Sequence, residues 1–255
     1  MLKIIYTKIY RQLAIIKNNI LRDYYLYFSK SKNKEILIYC GMNVGDTFNK
    51  IFYKYNKVIG FEANPENYNI LIKKFSKYKN VEIHNCVLSK YDGYCDFNIV
   101  KDNNFSASSS ILNFHKDRNL NIEKVIKVKS INLYKFLKGK NLQKIDTYIS
   151  DIEGYDFVVL KTLEPFIKNK NIGKISCEVQ INEKINYFES IEENNSISNF
   201  RKLLSENYEI EGFGSGITKE NKNIKFSNFE NYCNDYRIIF GTNDNFIDIT
   251  WLAKN

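Results

Sequence analysis

Two glycines and a glutamate form the first group of residues in this chain whose spacing could hold a small molecule. Gly41 and Gly45 follow the apolar run Ile36–Cys40, and Glu62 ends the next apolar run. Glycine at both ends of a loop lets the backbone turn sharply and approach a ligand, and the helix after it presents free N–H groups. A carboxylate at the second strand end can accept two hydrogen bonds from a ribose diol. The alternative is an ordinary turn followed by a solvated charge.

The residue between the two glycines separates two classes of cofactor. A nicotinamide or flavin dinucleotide needs a G-x-G-x-x-G run, because the second glycine lets the pyrophosphate touch the backbone. Asn43 occupies that second place here. S-adenosylmethionine carries no phosphate and does not need this clearance, so the loop favours S-adenosylmethionine as the cofactor.

Carboxylates at later strand ends are the candidates for acid–base chemistry. Asp151 ends a fourth strand, Glu153 follows in the turn, and Glu178 lies near the end of the next strand. Side chains two apart on a strand point the same way, so Asp151 and Glu153 converge unless the turn separates them. The cluster has three interpretations: a general base with a raised pKa, a Mg²⁺ or Ca²⁺ site, or a carboxylate that only binds backbone or the cofactor amine. Metal-free base catalysis or positioning by Asp151, with Glu178 orienting the acceptor, is favoured, and no residue is assigned to a metal.

The chain has 2 histidines. His84 lies inside the third predicted strand, where it faces a helix or solvent. His115 lies in a polar loop and is a further candidate base, because the reference pKa of histidine suits proton transfer near neutrality. A merely exposed loop histidine is the alternative.

The elements that must position these residues alternate between strands and helices from Glu35 onwards. Such alternation predicts a doubly wound α/β fold with a mostly parallel three-layer sheet, whose ligands collect at the carboxyl ends of the strands. The predicted strands are Ile36–Cys40, Lys57–Phe61, Val81–Cys86, Asp96–Val100, Lys127–Asn132, Thr147–Ile152, Lys174–Val179, Tyr208–Phe213 and Tyr236–Phe240. The predicted helices are Thr47–Lys54, one after Pro65 to about Tyr78, Leu133–Leu137, Phe157–Phe166 and Ser198–Asn207.

The first part of the chain has a helical pattern. Apolar residues recur there at spacings of three and four, which predicts an amphipathic helix: Ile5, Ile9, Leu13, Ile16, Ile20 and Tyr24. Packing of the helical segment 1–34 on one α/β domain over 35–255 is favoured over docking to a membrane or partner, and the helix is also a candidate dimer element. Asp102–Asn121 and Gly214–Asn234 are predicted loops, and Ser106–Ser110 and Gly212–Lys219 are expected to border the acceptor.

Composition limits the classes of function. The 255 residues are 44% hydrophobic, enough for one large α/β domain. The formal charge of +9 comes from scattered lysines, so no nucleic-acid partner is predicted, whereas attraction to phosphate-bearing substrates fits. The 5 cysteines show no C-x-x-C spacing, which suggests free thiols in a reducing cytoplasm. Neither a secretory signal nor an apolar run long enough to span a bilayer is expected.

Several short motifs together resemble the FkbM family of methyltransferases. They occur in the family's order over roughly residues 36–240: Ile38–Thr47, Gly60–Pro65, Asn85–Ser89 with Gly93, Ser108–Ser110, Lys144–Asp146, Asp151–Gly154 with Val159–Lys161, and Cys177–Gln180. The resemblance implies a seven-stranded Rossmann-like methyltransferase sheet with an antiparallel last strand. It also implies O-methylation of sugars or other hydroxylated metabolites in secondary-metabolite and surface-polysaccharide pathways.

The resemblance also assigns the cofactor residues. It places S-adenosylmethionine on Gly41, Asn43, Gly45, Asp46, Thr47, Glu62, Ala63, Asn64, Asn85, Cys86, Asp151 and Glu153. Two positions depart from the family pattern. Tyr39 stands where an acidic residue is usual, and Ser150 stands where a lysine commonly precedes the aspartate of D-x-E-G.

The resulting expectation is a cytoplasmic O-methyltransferase that acts on a sugar, such as a nucleotide sugar or a capsule polysaccharide precursor. Methylation of a non-sugar metabolite or lipid is the alternative enzyme function. A binding protein that kept the fold and lost catalysis is the alternative from another class.

Overall fold

A computed structural model of the chain describes residues 34–100, 109–115, 121–181, 188–189, 193–213, 220–224 and 246–255, together with Lys17 and Ile20. The described residues form eleven strands. They are β1 (Lys34–Cys40), β2 (Tyr55–Glu62), β3 (Val81–Asn85), β4 (Val87–Ser89), β5 (Gly93–Val100), β6 (Ile122–Asn132), β7 (Ile145–Ser150), β8 (Ile172–Gln180), β9 (Tyr208–Phe213), β10 (Glu220–Ile224) and β11 (Phe246–Ala253).

Eight of these strands form the large sheet, in the order β10-β9-β11-β8-β7-β1-β2-β3. The five strands from β8 to β3 are parallel to one another. The last strand, β11, is antiparallel to both of its neighbours, β8 and β9. The expected seven-stranded, mostly parallel sheet with an antiparallel last strand is therefore confirmed, and β10 adds an eighth strand at one edge.

Five α-helices in the described residues join these strands: α1 (Pro65–Phe75), α2 (Leu133–Gly139), α3 (Asp156–Thr162), α4 (Glu164–Lys168) and α5 (Ile197–Leu204). The sequence of α1 explains why a helix begins and ends at these residues. Asn64 caps it by accepting a hydrogen bond from the Glu66 N–H, Pro65 occupies its first turn, and Lys73 and Lys74 lie in its last turn. These are the preferred residue types at the positive and negative ends of a helix.

Separate core clusters cover the two faces of the large sheet. On one face, strand residues such as Ile38 and Phe61 pack with residues of α2, α3 and α5. On the other face, Leu37 and Val58 pack with Leu71 and other residues near α1. Helical packing on both faces confirms the doubly wound three-layer arrangement.

A second, three-stranded sheet has the order β4-β6-β5. It begins where Cys86 separates β3 from β4, so the chain leaves the large sheet one residue after β3. Its inner face has a core of its own, formed by Val87, Phe97, Ile99 and Val128. Ala63 packs against that core, which brings the small sheet to the carboxyl end of β2.

Several predicted elements differ from the structure. In place of a helix over Thr47–Lys54 there are two 3₁₀ turns, Phe48–Lys50 and Phe52–Lys54, because Ile51 between them has φ −132°. The predicted helix Phe157–Phe166 divides into α3 and α4 at Leu163, after which Pro165 starts the new helix.

Three of the strands were missing from the sequence prediction. Strands β4, β10 and β11 were not predicted, and β10 lies within the predicted loop Gly214–Asn234. The predicted last strand Tyr236–Phe240 lies outside the described residues. Of the predicted N-terminal helix, only Lys17 and Ile20 belong to them, both in helical conformation. No helix within the described ranges is long and apolar enough to cross a membrane.

Candidate cofactor and acceptor site

The loop after β1 has a backbone that only glycine accommodates at its first position. Gly41 has φ +77°, and a Cβ placed there would lie 1.8 Å from the carbonyl oxygen of Asp151. The Gly41 N–H donates to the Phe61 carbonyl at 3.0 Å, and the Asp151 N–H donates to the Cys40 carbonyl at 3.1 Å. The ends of β1, β2 and β7 therefore meet at this residue.

The far end of the loop packs on α1. Gly45 has φ +84°, and a Cβ there would lie 2.7 Å from atoms of both Leu71 and Phe75. Lys74 donates to the Val44 carbonyl at 2.7 Å and forms an ion pair with Asp46 at 3.4 Å. The loop is thus fixed to the helix that follows β2, so its inner edge is held against the carboxyl end of the sheet.

Glu62 forms a carboxylate cradle at the end of β2. One carboxylate oxygen accepts the Asn43 N–H at 2.7 Å, and the other accepts the Asn64 N–H at 2.9 Å. The residue is only 6% exposed. Burial raises the pKa of Glu62 to about 7, against the opposing effect of these backbone N–H groups. The Asn67 side chain and the Ala63 backbone also act on this carboxyl and lower its pKa.

Amide side chains support this cradle. Asn85 donates to the backbone carbonyls of Glu62 and Ala63 at 2.8 and 3.1 Å. Asn67 of α1 donates to the Asn43 side-chain oxygen at 3.2 Å and lines the pocket. Asn67 was not predicted from the sequence, although its place on the first turn of α1 after the cap could have indicated it.

One pocket joins the loop, the cradle and the end of β7. Its lining residues surround about 730 Å³ of space, which includes open solvent. Opposite the cradle its wall is largely apolar, formed by Val87, Leu88, Phe97 and Ile111. The predicted residues that line the pocket are Gly41, Asn43, Glu62, Ala63, Cys86, Asp151 and Glu153.

The remaining predicted cofactor residues lie behind this lining. Asp46 pairs with Lys74 on the surface, and Thr47 precedes the first 3₁₀ turn without capping it. Gly45, Asn64 and Asn85 act through the backbone contacts described above. The structure thus places these residues in supporting positions, and their direct contact with a cofactor stays a prediction.

Asp151 opens into the other end of the pocket. Asp151 is exposed at the pocket surface, but the surrounding protein atoms partly desolvate its carboxyl, and this desolvation and then the negative charges of Glu153, Asp156 and Asp248 raise its pKa. Burial and then Asp151 are the largest causes that raise the pKa of Glu178. A carboxylate with a raised pKa can take up a proton near neutral pH, which is what a general base requires.

A buried network fixes the backbone around Asp151. Asp156 is 0% exposed, and one of its oxygens accepts from the Ser150 hydroxyl at 2.5 Å and the Ile152 N–H at 3.1 Å. Its other oxygen accepts from Asn195 at 2.7 Å. Burial raises the pKa of Asp156, and these hydrogen bonds act in the opposite direction. Ser150 therefore stabilises Asp156, and neither Asp156 nor Asn195 was predicted, because no local motif links the two.

The turn after Asp151 is held by the small sheet and a neighbouring segment. Glu153 and Gly154 have φ +53° and +91°, and the Ser110 hydroxyl donates to the Glu153 carbonyl at 2.8 Å. A Cβ at Gly154 would lie 2.2 Å from the Phe188 ring. Ser109 lines the pocket, so part of the predicted Ser106–Ser110 border lies where it was expected, whereas residues 106–108 and 214–219 are outside the described ranges.

The histidines lie in different surroundings. His84 donates a hydrogen bond from Nε2 to the Glu82 carboxylate at 2.7 Å and stacks on Phe61 with ring centroids 5.4 Å apart, so it supports the edge of the sheet. His115 is half-buried and is not among the residues that line the pocket. A role for His115 as base stays a prediction that the pocket geometry does not support.

Metal binding was the alternative interpretation of the carboxylates. In the part of the chain that the structure describes, no group of three or more His, Cys, Asp or Glu side chains has an arrangement that could hold a metal ion. The carboxylates at the ends of β7 and β8 can still bind hydrogen-bond donors or protons.

Taken with the fold, this pocket lies in a doubly wound α/β domain at the point where the strand order reverses, which is where folds of this class bind their ligands. A protein-family comparison matches residues 40–211 to the methyltransferase FkbM domain. The chain belongs to this family of methyltransferases, as the sequence motifs predicted. No curated protein sequence matches the chain.

Solved structures with a similar fold are distant in sequence. M. capricolum TrmK, solved with S-adenosyl-homocysteine, has 14% identity and a TM-score of 0.40, with 89% of this chain and 65% of that chain covered. An rRNA methylase from Streptococcus thermophilus has 8% identity and a TM-score of 0.43, with 93% and 96% covered. Aeropyrum pernix fibrillarin, solved with S-adenosyl-L-methionine, has 10% identity and a TM-score of 0.43, with 92% and 74% covered.

Proposed function

We propose that this protein is an S-adenosylmethionine-dependent O-methyltransferase that acts on a hydroxyl of a sugar. The observation that carries the proposal is a single pocket that joins the Glu62 cradle at one end to the Asp151 carboxyl at the other. One end suits a nucleoside and the other suits proton transfer. Membership of a methyltransferase family supports the same reaction class.

The pocket residues fit the chemical groups of S-adenosylmethionine. Two backbone N–H groups fix the buried Glu62 carboxylate, and a carboxylate is a suitable acceptor for ribose hydroxyls. The apolar wall that includes Val87, Phe97 and Ile111 suits a flat base. Gly41 brings the backbone of the loop close to the end of β7, where a side chain would collide. We assign the ribose to Glu62 and the base to this apolar wall.

When bound, S-adenosylmethionine supplies a methyl group that is already activated by its positive sulfur. The protein then has to align an acceptor oxygen and remove its proton. We assign proton removal to Asp151, whose carboxyl opens into the pocket and whose pKa is raised by partial desolvation and by Glu153. Glu178, the next residue position on β8, is assigned to hold the acceptor. Alignment contributes up to roughly 7–11 kcal/mol in favourable cases, and a positioned base about 10²–10⁴-fold.

A polyhydroxylated acceptor suits this end of the pocket. When they are ionised, the carboxylates of Asp151 and Glu178 can only accept hydrogen bonds, so they pair with hydroxyl donors. Tyr155 lines the same pocket and offers an aromatic face. The formal charge of +9 favours an acceptor that carries phosphate, such as a nucleotide sugar or a capsule polysaccharide precursor. The free thiols of Cys40, Cys86, Cys95 and Cys177 support a cytoplasmic location.

The first experiment is methyl transfer from isotopically labelled S-adenosylmethionine to a panel of nucleotide-activated sugars, followed by mass spectrometry. We expect label on a sugar hydroxyl in the wild type and its loss in Asp151→Asn. Asp96→Asn, a surface carboxylate paired with Lys127, is the matched control. Label on a nitrogen or carbon atom would contradict the O-methyltransferase assignment, and failure of the wild type to bind the cofactor in calorimetry would contradict the whole proposal.

A further inference from the structure

A short segment beside the small sheet has buried and half-buried residues in alternation. Ser110 and Leu112 are buried, with 1% and 7% of their surface exposed, whereas Ser109 and Ile111 are half-buried and line the pocket. One side of the segment therefore forms part of the pocket wall, and the other side packs against protein. The hydroxyl of Ser110 lies on the packed side, so its partners are protein groups.

Hydrogen bonds fix this wall segment, residues 109–112, to β5. The backbones of Ser110 and Asn98 exchange two hydrogen bonds, at 2.8 and 3.1 Å. The Asn98 side chain donates to the Leu112 carbonyl at 2.9 Å, and the Val100 N–H donates to the Ser109 hydroxyl at 3.1 Å. The wall segment is thus held as part of the small sheet.

The Ser110 hydroxyl connects the wall segment to the turn that follows Asp151. It accepts the Leu112 N–H at 3.1 Å and donates to the Glu153 carbonyl at 2.8 Å. A serine hydroxyl has a single O–H to donate, so its donor is committed to the turn. This bond joins residues that are 43 positions apart, and it links the small sheet directly to the end of β7.

The turn has a backbone conformation that needs support. Glu153 has φ +53° and Gly154 has φ +91°, and a left-handed conformation is uncommon and unfavourable for a residue other than glycine. The strand side of the turn is fixed by two bonds, from the Asp151 N–H to the Cys40 carbonyl and from the Ile152 N–H to Asp156. The bond from Ser110 holds the side that faces the small sheet.

We propose that Ser110 is a positioning residue for the carboxylate of Asp151. Asp151 lies two residues before the carbonyl that Ser110 holds, and Asp151, Glu153 and Ser109 all line the same pocket. Ser110 therefore keeps the pocket wall and the carboxylate at a constant separation. The inference rests on the proposed function, in which Asp151 takes the acceptor proton, and a reacting group that is slightly misplaced lowers the rate steeply.

Ser110→Ala removes the hydroxyl, and Ser130→Ala is its matched control. Ser130 is 5% exposed, its hydroxyl donates to the Tyr91 carbonyl at 2.8 Å, and neither residue lines the pocket. Both substitutions delete one buried hydroxyl that holds a carbonyl between two elements. A merely structural role therefore predicts similar effects of the two substitutions on every measurement.

The rate and the cofactor affinity separate positioning from stability. We expect Ser110→Ala to lower the single-turnover rate of methyl transfer about 5- to 50-fold, within the roughly 10²-fold that a 1 Å misplacement can cost. Its affinity for S-adenosylhomocysteine in calorimetry should change less than about threefold, and Ser130→Ala should change neither quantity. Urea unfolding of each variant establishes that it is folded.

Hydrogen exchange followed by mass spectrometry tests the turn without any turnover. Peptides that cover residues 151–155 should exchange faster in Ser110→Ala than in wild type, and in Ser130→Ala they should not. Phe188→Leu is a second variant that loosens the same turn, because the Phe188 ring packs on Gly154. It should lower the rate in the same way, and it decides the question if Ser110→Ala does not fold.

Two results would overturn the inference. One is a folded Ser110→Ala protein whose rate matches that of Ser130→Ala, and the other is unchanged exchange over residues 151–155, since either would show that Ser110 only stabilises the fold. Wild-type protein that binds no S-adenosylhomocysteine would instead contradict the proposed function. The exchange comparison would then test by itself whether Ser110 holds the turn.

Discussion

Glu62 makes the stability of the ligand-free protein depend on pH in a direction that can be calculated. Burial raises its pKa from 4.5 to about 7, so the folded protein binds a proton between these values that the unfolded chain releases. By linkage, a group that binds more protons in the folded state loses stability as pH rises. The contribution of Glu62 is therefore largest below pH 4.5, falls as pH rises, and has reached its lowest level above pH 7.

The size of this effect follows from the same two values. One pKa unit corresponds to about 1.4 kcal/mol, so Glu62 changes the free energy of unfolding by at most about 3 kcal/mol over this window. Glu62→Gln removes the titration. It also places an amide N–H₂ opposite one of the two backbone donors, Asn43 or Asn64, which costs about 1–3 kcal/mol at any pH.

The assay is urea unfolding of wild type and Glu62→Gln at several pH values from 5 to 8. Other carboxyls with a raised pKa, such as the buried Asp156, remain in both proteins, so the difference between the two curves isolates Glu62. We expect the free energy of unfolding of wild type to exceed that of Glu62→Gln. The difference should shrink as pH rises from 5 to 7 and stay constant above pH 7. Glu66→Gln, an exposed carboxylate paired with Lys124, is the matched control. A difference in the free energy of unfolding that does not change across this pH range, or that grows with pH, would refute the raised pKa assigned to Glu62.

Four further outcomes follow from the same geometry. Gly41→Ala should abolish binding of S-adenosylhomocysteine in calorimetry, because a Cβ would lie 1.8 Å from the Asp151 carbonyl; retained affinity would contradict the loop geometry. Asp151→Asn should lower the single-turnover rate about 10²–10⁴-fold and leave cofactor affinity within a few-fold. Asn195→Ala should destabilise the fold by about 1–3 kcal/mol in urea, since it removes a donor from buried Asp156, whereas Asn56→Ala, which pairs only with surface Glu35, should not. EDTA should leave the turnover rate unchanged. A loss of turnover in EDTA that Mg²⁺ restores would contradict metal-free catalysis.

Local sequence signals predicted the parts of the fold that depend on local chemistry. The glycine loop, the Asn64 cap with Pro65, and strands such as β9 are all specified by residues within a few positions of one another. The helix predicted over Thr47–Lys54 was wrong because its apolar spacing also suits a tight aromatic core: Phe48 stacks on Phe52 and contacts Phe75 edge-on. That core selects two short 3₁₀ turns where propensity alone suggested one helix.

The missed elements depend on pairing between distant parts of the chain. Strand β11 has an alternating burial pattern, with Ile247, Ile249 and Trp251 inside, and that alternation was a usable signal for a strand. Its position between β8 and β9 could not be predicted from the sequence, because it depends on pairing with strands that are distant along the chain. Asp248 lies beside Glu178 only through this register, so no motif near it could have shown that position.

The two departures from the family pattern have different physical consequences. Ser150 donates a hydrogen bond to Asp156, and that aspartate also accepts the Ile152 N–H, so this serine holds the backbone on both sides of Asp151. A serine hydroxyl does this without adding a charge to the interior, where an unpaired charge is costly. Tyr39, in contrast, places a neutral aromatic side chain near the end of β1, where its ring packs edge-on against Phe48 in the core. The first change therefore concerns support of the strand end that carries Asp151, whereas the second replaces a charge by an apolar contact near the end of β1.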